Sequence, residues 1–334
     1  MNIDKFNTQF YSSFPTIRLR RLRKNQSIRD LLQEIRLSTK DLICPLFIQE
    51  NLKSQNTSIP EINRISISKI QNEIQSILNL GINSVILFGL PSRKSSTASS
   101  AYSKNGIIQK SIREIRKNFG DKVVIITDVC MCEYTNSGHC GIIKNNIVDN
   151  DLSIDKLSKI ANSHAESGAD IVAPSAMMDG QVMAIRKKLD SCGFSDVSIL
   201  SYASKLASPL YSPFRDLANS YPEFGNRKSY QLQPSNLNEA LLEIQMDINE
   251  GSDMIMIKPA ITCLDILRQI RERTRLPICA YSVSGEYAMI KAAAEKGWID
   301  ENEVILEFHT AIKRAGSDMM ITYYAKHLAQ ILNQ

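Results

Sequence analysis

The run Asp128-Val-Cys-Met-Cys-Glu-Tyr-Thr-Asn-Ser-Gly-His-Cys-Gly141 gathers Cys130, Cys132 and Cys140, three of the chain's seven cysteines, and His139, one of its four histidines. Thiolates in that number form the soft sulfur set that zinc prefers. Structural zinc sites usually carry four ligands, with CxxC pairs contributed from two places. This run offers a CxC and a third thiol, and the chain contains no CxxC. Three protein ligands leave one coordination position open, which is what a catalytic metal needs. His139 could be the fourth ligand or a neighbour of the site.

Two lysines stand in settings that suit a different chemistry. Lys258 closes the apolar run Met254-Ile-Met-Ile-Lys258. A charge there is costly, and burial lowers the pKa of an amine by penalising its ammonium form. A neutral amine forms a Schiff base with a ketone or aldehyde. The plain alternative is an ammonium paired with a carboxylate or reaching the rim. Lys205 closes Ser201-Tyr-Ala-Ser-Lys205. If the two strands are adjacent, each ammonium depresses the pKa of the other. One lysine suggests a class I aldolase. Two lysines beside an open metal suggest two carbonyl substrates handled together.

The elements that must position these groups are short. Apolar runs at 43–48, 84–88, 123–128, 171–173, 198–202, 254–258, 278–281 and 319–323 read as strands. They do not alternate with polar residues, as expected for strands covered on both faces. Helical patterns separate them at 66–80, 107–119, 153–167, 180–192, 235–249, 264–274 and 286–296. Strands alternating with helices in this number predict an α/β fold, a parallel (β/α)8 TIM barrel. The expected organisation is an N-terminal extension arm over 1–40 and a catalytic barrel over 41–334. A doubly wound sheet is the rival, but no GxGxxG follows the first strand. Asp128, Tyr202, Lys258, Tyr281 and Tyr323 end strand candidates, where barrel enzymes place their chemistry. Segments 129–150 and 203–234 lack clear secondary structure, and loops of that length are usually functional.

Composition narrows the class. A hydrophobic fraction of 43% and a charged fraction of 22% are those of a soluble globular protein. No window approaches the run of about 20 apolar residues that spans a membrane. The start, Met1-Asn-Ile-Asp-Lys-Phe-Asn-Thr8, lacks a secretory h-region, so a cytoplasmic location is expected. In that reducing compartment an odd cysteine count favours metal over disulfides. Cys44, Cys192, Cys263 and Cys279 are expected as buried small apolar residues, and His164, His309 and His327 as structural helix residues. Much of the net charge of +5 sits in Arg18-Leu-Arg-Arg-Leu-Arg-Lys24. No aromatic residue interleaves that run, so it reads as an arm pairing with acidic groups on its own or a neighbouring subunit rather than as a nucleic-acid patch.

Taken in order, the long motifs carry a resemblance. They are Asp128–Gly141, Ala173-Pro-Ser-Ala-Met-Met-Asp-Gly180, Ser201–Lys205, Ser212-Pro-Phe-Arg-Asp216, Phe224-Gly-Asn-Arg-Lys-Ser-Tyr230, Ile257-Lys-Pro259, Val283-Ser-Gly-Glu-Tyr-Ala-Met289 and Arg314-Ala-Gly-Ser-Asp318. From about Arg18 to its end the chain resembles the δ-aminolevulinic acid dehydratase, or porphobilinogen synthase, family of the zinc-dependent kind. The resemblance implies condensation of two 5-aminolevulinate molecules to porphobilinogen with loss of two waters. Lys258 would form the Schiff base with the first-bound molecule, at the P side, and Lys205 with the second, at the A side. Cys130, Cys132 and Cys140 would hold zinc, with His139 beside the site and water or the second substrate in the open position. Arg215 and Arg227 would bind the A-side carboxylate, helped by Lys228 and Gln233. Ser284 and Tyr323 would bind the P-side carboxylate, with Tyr324 the competitor for Tyr323. Asp128 and Ser175 would face the same mouth and contact substrate amine or water. The resemblance also implies a homo-octamer in which the arms wrap around neighbouring barrels.

Three positions depart from the family pattern. Asn238 stands where many bacterial relatives carry arginine, Cys263 where tyrosine is common and Leu206 where an aromatic residue is usual. Glu243 matches the carboxylate that binds an allosteric magnesium in some members. A Schiff-base aldolase with an incidental metal leaves the second lysine and both arginines unexplained. A zinc-binding interaction protein leaves Lys258 unexplained.

Overall fold

Ile255, Met256 and Ile257 have no exposed surface, so the strand that ends in Lys258 is covered on both faces. The same holds for its neighbours, and the result is a closed parallel barrel. Its strands are Leu42–Gln49 (β1), Ser84–Leu90 (β2), Val124–Val129 (β3), Ile171–Pro174 (β4), Ser198–Lys205 (β5), Met254–Lys258 (β6), Ile278–Ser282 (β7) and Met319–Thr322 (β8). Each pairs with the next, and β8 returns to β1 through Leu42↔Met320 and Ile43↔Ile321. The computed structural model describes residues 13–52 and 59–334. The N-terminal stretch read as lacking a leader lies outside the described residues.

The outer layer follows the helical periodicity. Ile108, Ile112, Ile115 and Phe119 bury one face of Ile107–Phe119. Asp149 accepts from Leu152 N at 3.0 Å and starts Asn150–Glu166. Helices Glu301–Ala315 and Ala325–Leu332 complete the ring beyond those read from sequence. The first was hard to see because its buried face is Ile305, His309 and Ile312, with a histidine in an apolar place. Cys192 lies past the last turn of Gln181–Ser191 and is exposed, contrary to expectation, because that helix buries Val182, Ile185 and Leu189 instead.

One device recurs at the N-terminal end of the barrel. Gly168-Ala-Asp170, Gly251-Ser-Asp253 and Gly316-Ser-Asp318 precede β4, β6 and β8. Each aspartate accepts the first free N–H of the preceding strand: Asp170 from Ile125 at 2.7 Å, Asp253 from Ile199 at 2.7 Å and Asp318 from Ile278 at 2.8 Å. Each also has an arginine partner, Arg116, Arg186 or Arg271, from the helix that leads into that preceding strand. The ladder is thus closed where strand pairing alone would leave donors open.

Residues up to Arg36 form a separate compact unit from Leu37–Gln334. Its described part holds a turn at Leu19–Arg23 and a short helix at Gln26–Leu31, with no buried residue in either.

Candidate active site

Strand alternation selects which side chains enter the barrel. On β3, Thr127 Oγ1 lies 3.0 Å from His164 Nδ1 on the outer helix, so the next residue, Asp128, turns inward. On β8, Thr322 Oγ1 meets His309 Nε2 at 2.8 Å, so Tyr323 turns inward. Its hydroxyl stands 3.4 Å from that of Tyr281. Tyr324 instead sends its hydroxyl to Glu301, at 3.1 Å.

β5 breaks the alternation. Tyr202 and Lys205 are three apart and would face opposite sides of a regular strand. The pairing with β6 shifts register between Ser201 and Ser204. This irregularity restores both side chains to the interior and carries the strand past residue 202, where the sequence pattern ends. Lys205 then lies in register with Lys258. Both are only 5% exposed, and one tyrosine ring, that of Tyr202, has the Lys205 Nζ 5.5 Å and the Lys258 Nζ 5.2 Å from its centroid.

Four rings box Lys258: Tyr281 at 4.0 Å, Tyr211 at 5.0 Å, and Tyr202 and Phe214 at 5.2 Å. Tyr211 also donates to the Lys258 carbonyl at 3.1 Å, fixing the backbone of the residue whose amine it covers. Burial, and then the Lys205 ammonium, bring the Lys258 pKa down to about 7. Lys205 donates to the carbonyl of Ser175. One cavity is walled by Asp128, Cys132, Ser175, Lys205, Arg227 and Lys258. Asp128 is pushed up to about 7 by burial first and then by the Glu133 carboxylate, with Lys205 pulling the other way.

Cys130, Cys132 and Cys140 bring their sulfurs within 4.8 Å of one another, and all three are buried. The Cys130 and Cys132 sulfurs are 3.3 Å apart. Hydrogen bonds from Cys130 and Cys132 hold the Cys140 thiol well below its usual range, with Arg227 and Lys205 adding to the effect. A buried, cationically flanked trio of thiols fits a soft metal ion. His139 is not aimed at it: Nδ1 lies 2.9 Å from the Tyr230 hydroxyl and Nε2 3.0 Å from the Phe224 carbonyl.

The remaining expected residues divide. Arg227 is buried, reaches Gly138 O at 2.9 Å, and leaves its Nε unpartnered. Arg215, on Ser212–Leu217, also has an unpartnered Nε. Burial and then the Arg227 guanidinium pull its pKa down, so the two cations are held near each other. Ser284 is buried but outside the cavity wall, accepting from Phe214 N at 2.9 Å. Lys228 and Gln233 are exposed and line a separate surface groove that also holds Glu243.

Two residues escaped the sequence reading. Glu133 is buried within 4.8 Å of Asp128 and Cys130, and burial raises its pKa. Gln231, not Gln233, is the buried glutamine of this segment, and neither atom of its amide has a partner. A carboxylate directly after the CxC was a visible signal for Glu133. The single-residue choice between glutamines carried none.

Residues 16–331 match the family model described as delta-aminolevulinic acid dehydratase. The chain belongs to that family. It is 51% identical to the delta-aminolevulinic acid dehydratase of Archaeoglobus fulgidus over 96% of this chain and 99% of the relative. The Bacillus subtilis delta-aminolevulinic acid dehydratase is 46% identical over 94% and 98%. The crystal structure of delta-aminolevulinic acid dehydratase (porphobilinogen synthase) from Toxoplasma gondii, in complex with the reaction product porphobilinogen, superposes with a TM-score of 0.91 at 41% identity, over 94% of this chain and 91% of that one. Dehydratase family membership therefore rests on both sequence and fold along almost the whole barrel.

Proposed function

We propose that the chain is a porphobilinogen synthase that condenses two 5-aminolevulinate molecules with loss of two waters. The observation that carries this is the in-register pair Lys205 and Lys258 inside one cavity. A one-substrate aldolase needs a single amine. Two amines on adjacent strands suit two ketones that must meet.

In this reading Lys258 forms the Schiff base with the first molecule and Lys205 with the second. Each imine activates the carbon beside it, and the fixed strand register replaces a random encounter by a positioned one. Asp128, whose pKa near 7 lets it take or give a proton, faces the cavity with Ser175. Arg215 and Arg227, two cations held close together, bind the A-side carboxylate through paired N–H donors. Gln231 is better placed than Gln233 to help them, and exposed Lys228 serves at the rim. Ser284 and Tyr323 take the P-side carboxylate. Cys130, Cys132 and Cys140 would hold zinc, which when bound supplies Lewis acidity at the mouth.

Burial, and then Asp179, Glu250 and Glu239, push Glu243 up to about 7, and a magnesium ion there would relieve that crowding. Exposed Leu242 and Met246 on Leu237–Asn249, together with an arm that buries nothing of its own, support self-association as a homo-octamer. Among the described residues no helix is long and apolar enough to cross a membrane, and we place the enzyme in the cytoplasm on the strength of its unpaired thiols.

The test is to supply 5-aminolevulinate to the purified chain and measure porphobilinogen with and without a zinc chelator. In parallel, borohydride with labelled 5-aminolevulinate should mark Lys258. Absence of label there on folded, metal-loaded protein refutes the proposal.

A further inference from the structure

His139 stands next to Cys140, yet the chemistry proposed above gives it no part. In the neutral ring, its surroundings choose the tautomer. The Phe224 carbonyl can only accept, so Nε2 carries a hydrogen and donates across 3.0 Å. Nδ1 is then a lone pair and accepts from the Tyr230 hydroxyl across 2.9 Å. The hydroxyl oxygen in turn accepts from the backbone N–H of Cys140 at 3.4 Å. The relay runs one way, from Cys140 N–H through Tyr230 and His139 to Phe224 O. Both ring nitrogens are used, so none is left for a metal on the thiols.

Other bonds join the same two segments. Glu223 N donates to Ser137 O at 2.9 Å, a main-chain bond that needs no side chain. Arg227 Nη2 donates to Gly138 O at 2.9 Å. Gly138 has φ +67°, and a Cβ there would stand 2.0 Å from Tyr221 O, so only glycine permits the approach. The cysteine loop and the segment around 220–230 are therefore stitched together over several residues. That segment, called the lid here, carries Arg227, and Ser220 N donates to Arg215 O at 2.8 Å, linking it to the second arginine.

We propose that His139 is a positioning residue, which with Tyr230 ties Cys140 to the lid segment 220–230, so that metal binding at the thiols orders the arginine clamp. This rests on the reading of Cys130, Cys132 and Cys140 as a metal site. A metal that holds Cys140 in place favours the relay, and by reciprocity an ordered lid favours the metal.

The experiment is amide hydrogen exchange over 219–230, with zinc stoichiometry, on the full chain with zinc or with chelator. The proteins are the parent, His139→Ala and Tyr230→Phe, the last removing one hydroxyl and keeping the ring. Zinc alone should slow lid exchange in the parent by about tenfold, the effect of one net hydrogen bond. Both variants should bind zinc at the parent stoichiometry yet exchange like the chelated parent. Their KM for 5-aminolevulinate should rise, while borohydride labelling of Lys258 at saturating substrate stays at the parent level. Loss of zinc from His139→Ala with retention in Tyr230→Phe would make the histidine a ligand and overturn the proposal. So would zinc-loaded Tyr230→Phe with lid exchange equal to that of the zinc-loaded parent. A parent that binds no zinc overturns the metal reading beneath it, and the coupling with it.

Discussion

Replacing Lys205 by methionine tests how the Lys258 amine becomes reactive. In the parent, the Lys258 pKa of about 7 leaves about half of the amine neutral at pH 7. An ordinary lysine near 10.4 would be neutral only about once in 2,500. Burial is the larger cause and Lys205 the second. Both Nζ atoms lie within 5.5 Å of the Tyr202 centroid, so they cannot be more than about 11 Å apart. At an effective dielectric of about 20 their repulsion is then at least about 1.5 kcal/mol, or about one pKa unit. Removing the Lys205 charge should raise the Lys258 midpoint to about 8 or higher. It should not restore the solution value, because burial remains. The assay is the initial rate of reductive labelling of Lys258 by labelled 5-aminolevulinate and cyanoborohydride between pH 6 and pH 9. The cation is the unreactive form, so labelling rises with pH through the midpoint and then levels. A parent midpoint near 10, or no upward move in Lys205→Met, would refute the reasoning.

Three further outcomes follow from the same geometry. Cys132→Ala should lower zinc stoichiometry, measured by metal analysis, and abolish porphobilinogen formation, because two thiols and a saturated histidine leave too few ligands. Arg227→Lys keeps the charge but loses the planar guanidinium that anchors its Nη2 on Gly138 O and Ser220 O and leaves its Nε free for a ligand, so KM for 5-aminolevulinate should rise by about tenfold or more, read from steady-state kinetics. Asp318→Ala strips the acceptor from Ile278 N at the far end of the barrel, so denaturant unfolding should show a loss of about 1–3 kcal/mol with the Lys258 labelling midpoint unmoved.

The barrel was legible because its strands are unbroken apolar runs, and a run such as Met254–Ile257 has no polar face to confuse the period. The end of β5 was not, because Ala203-Ser204 is not an apolar continuation and the extra residue that β5 carries there shows only in its pairing with β6. The lysine pair was legible as two charged strand ends; its direct alignment was not, since it depends on that same shift. His139 could not be decided from spacing. Its exclusion from the thiols comes from Tyr230 and Phe224, far away in sequence. The Gly-x-Asp repeat before β4, β6 and β8 is present in the sequence but has no meaning there, because each copy looks like an ordinary turn until the three strand N–H groups are seen.

The aromatic box around Lys258 raises a question of sign. Ring faces attract cations, which should favour the ammonium and raise the pKa. The pKa nevertheless falls, and the reason is the kind of cation. An ammonium offers three N–H donors and is strongly hydrated, and ring faces cannot replace all of those bonds. The hydration lost on burial is therefore what sets the direction. A protonated imine on the same nitrogen carries a single N–H and a delocalised charge, so it gives up much less hydration on entering the box. Burial then disfavours the resting cation, while the four rings favour the reacting one. On this argument, changing Tyr281, the ring nearest to Nζ at 4.0 Å, to leucine keeps the site dry but removes the attraction. The amine would stay neutral near pH 7, while the imine would accumulate less. Loss of trapped imine with no upward shift in the labelling midpoint is the signature that separates ring attraction from burial.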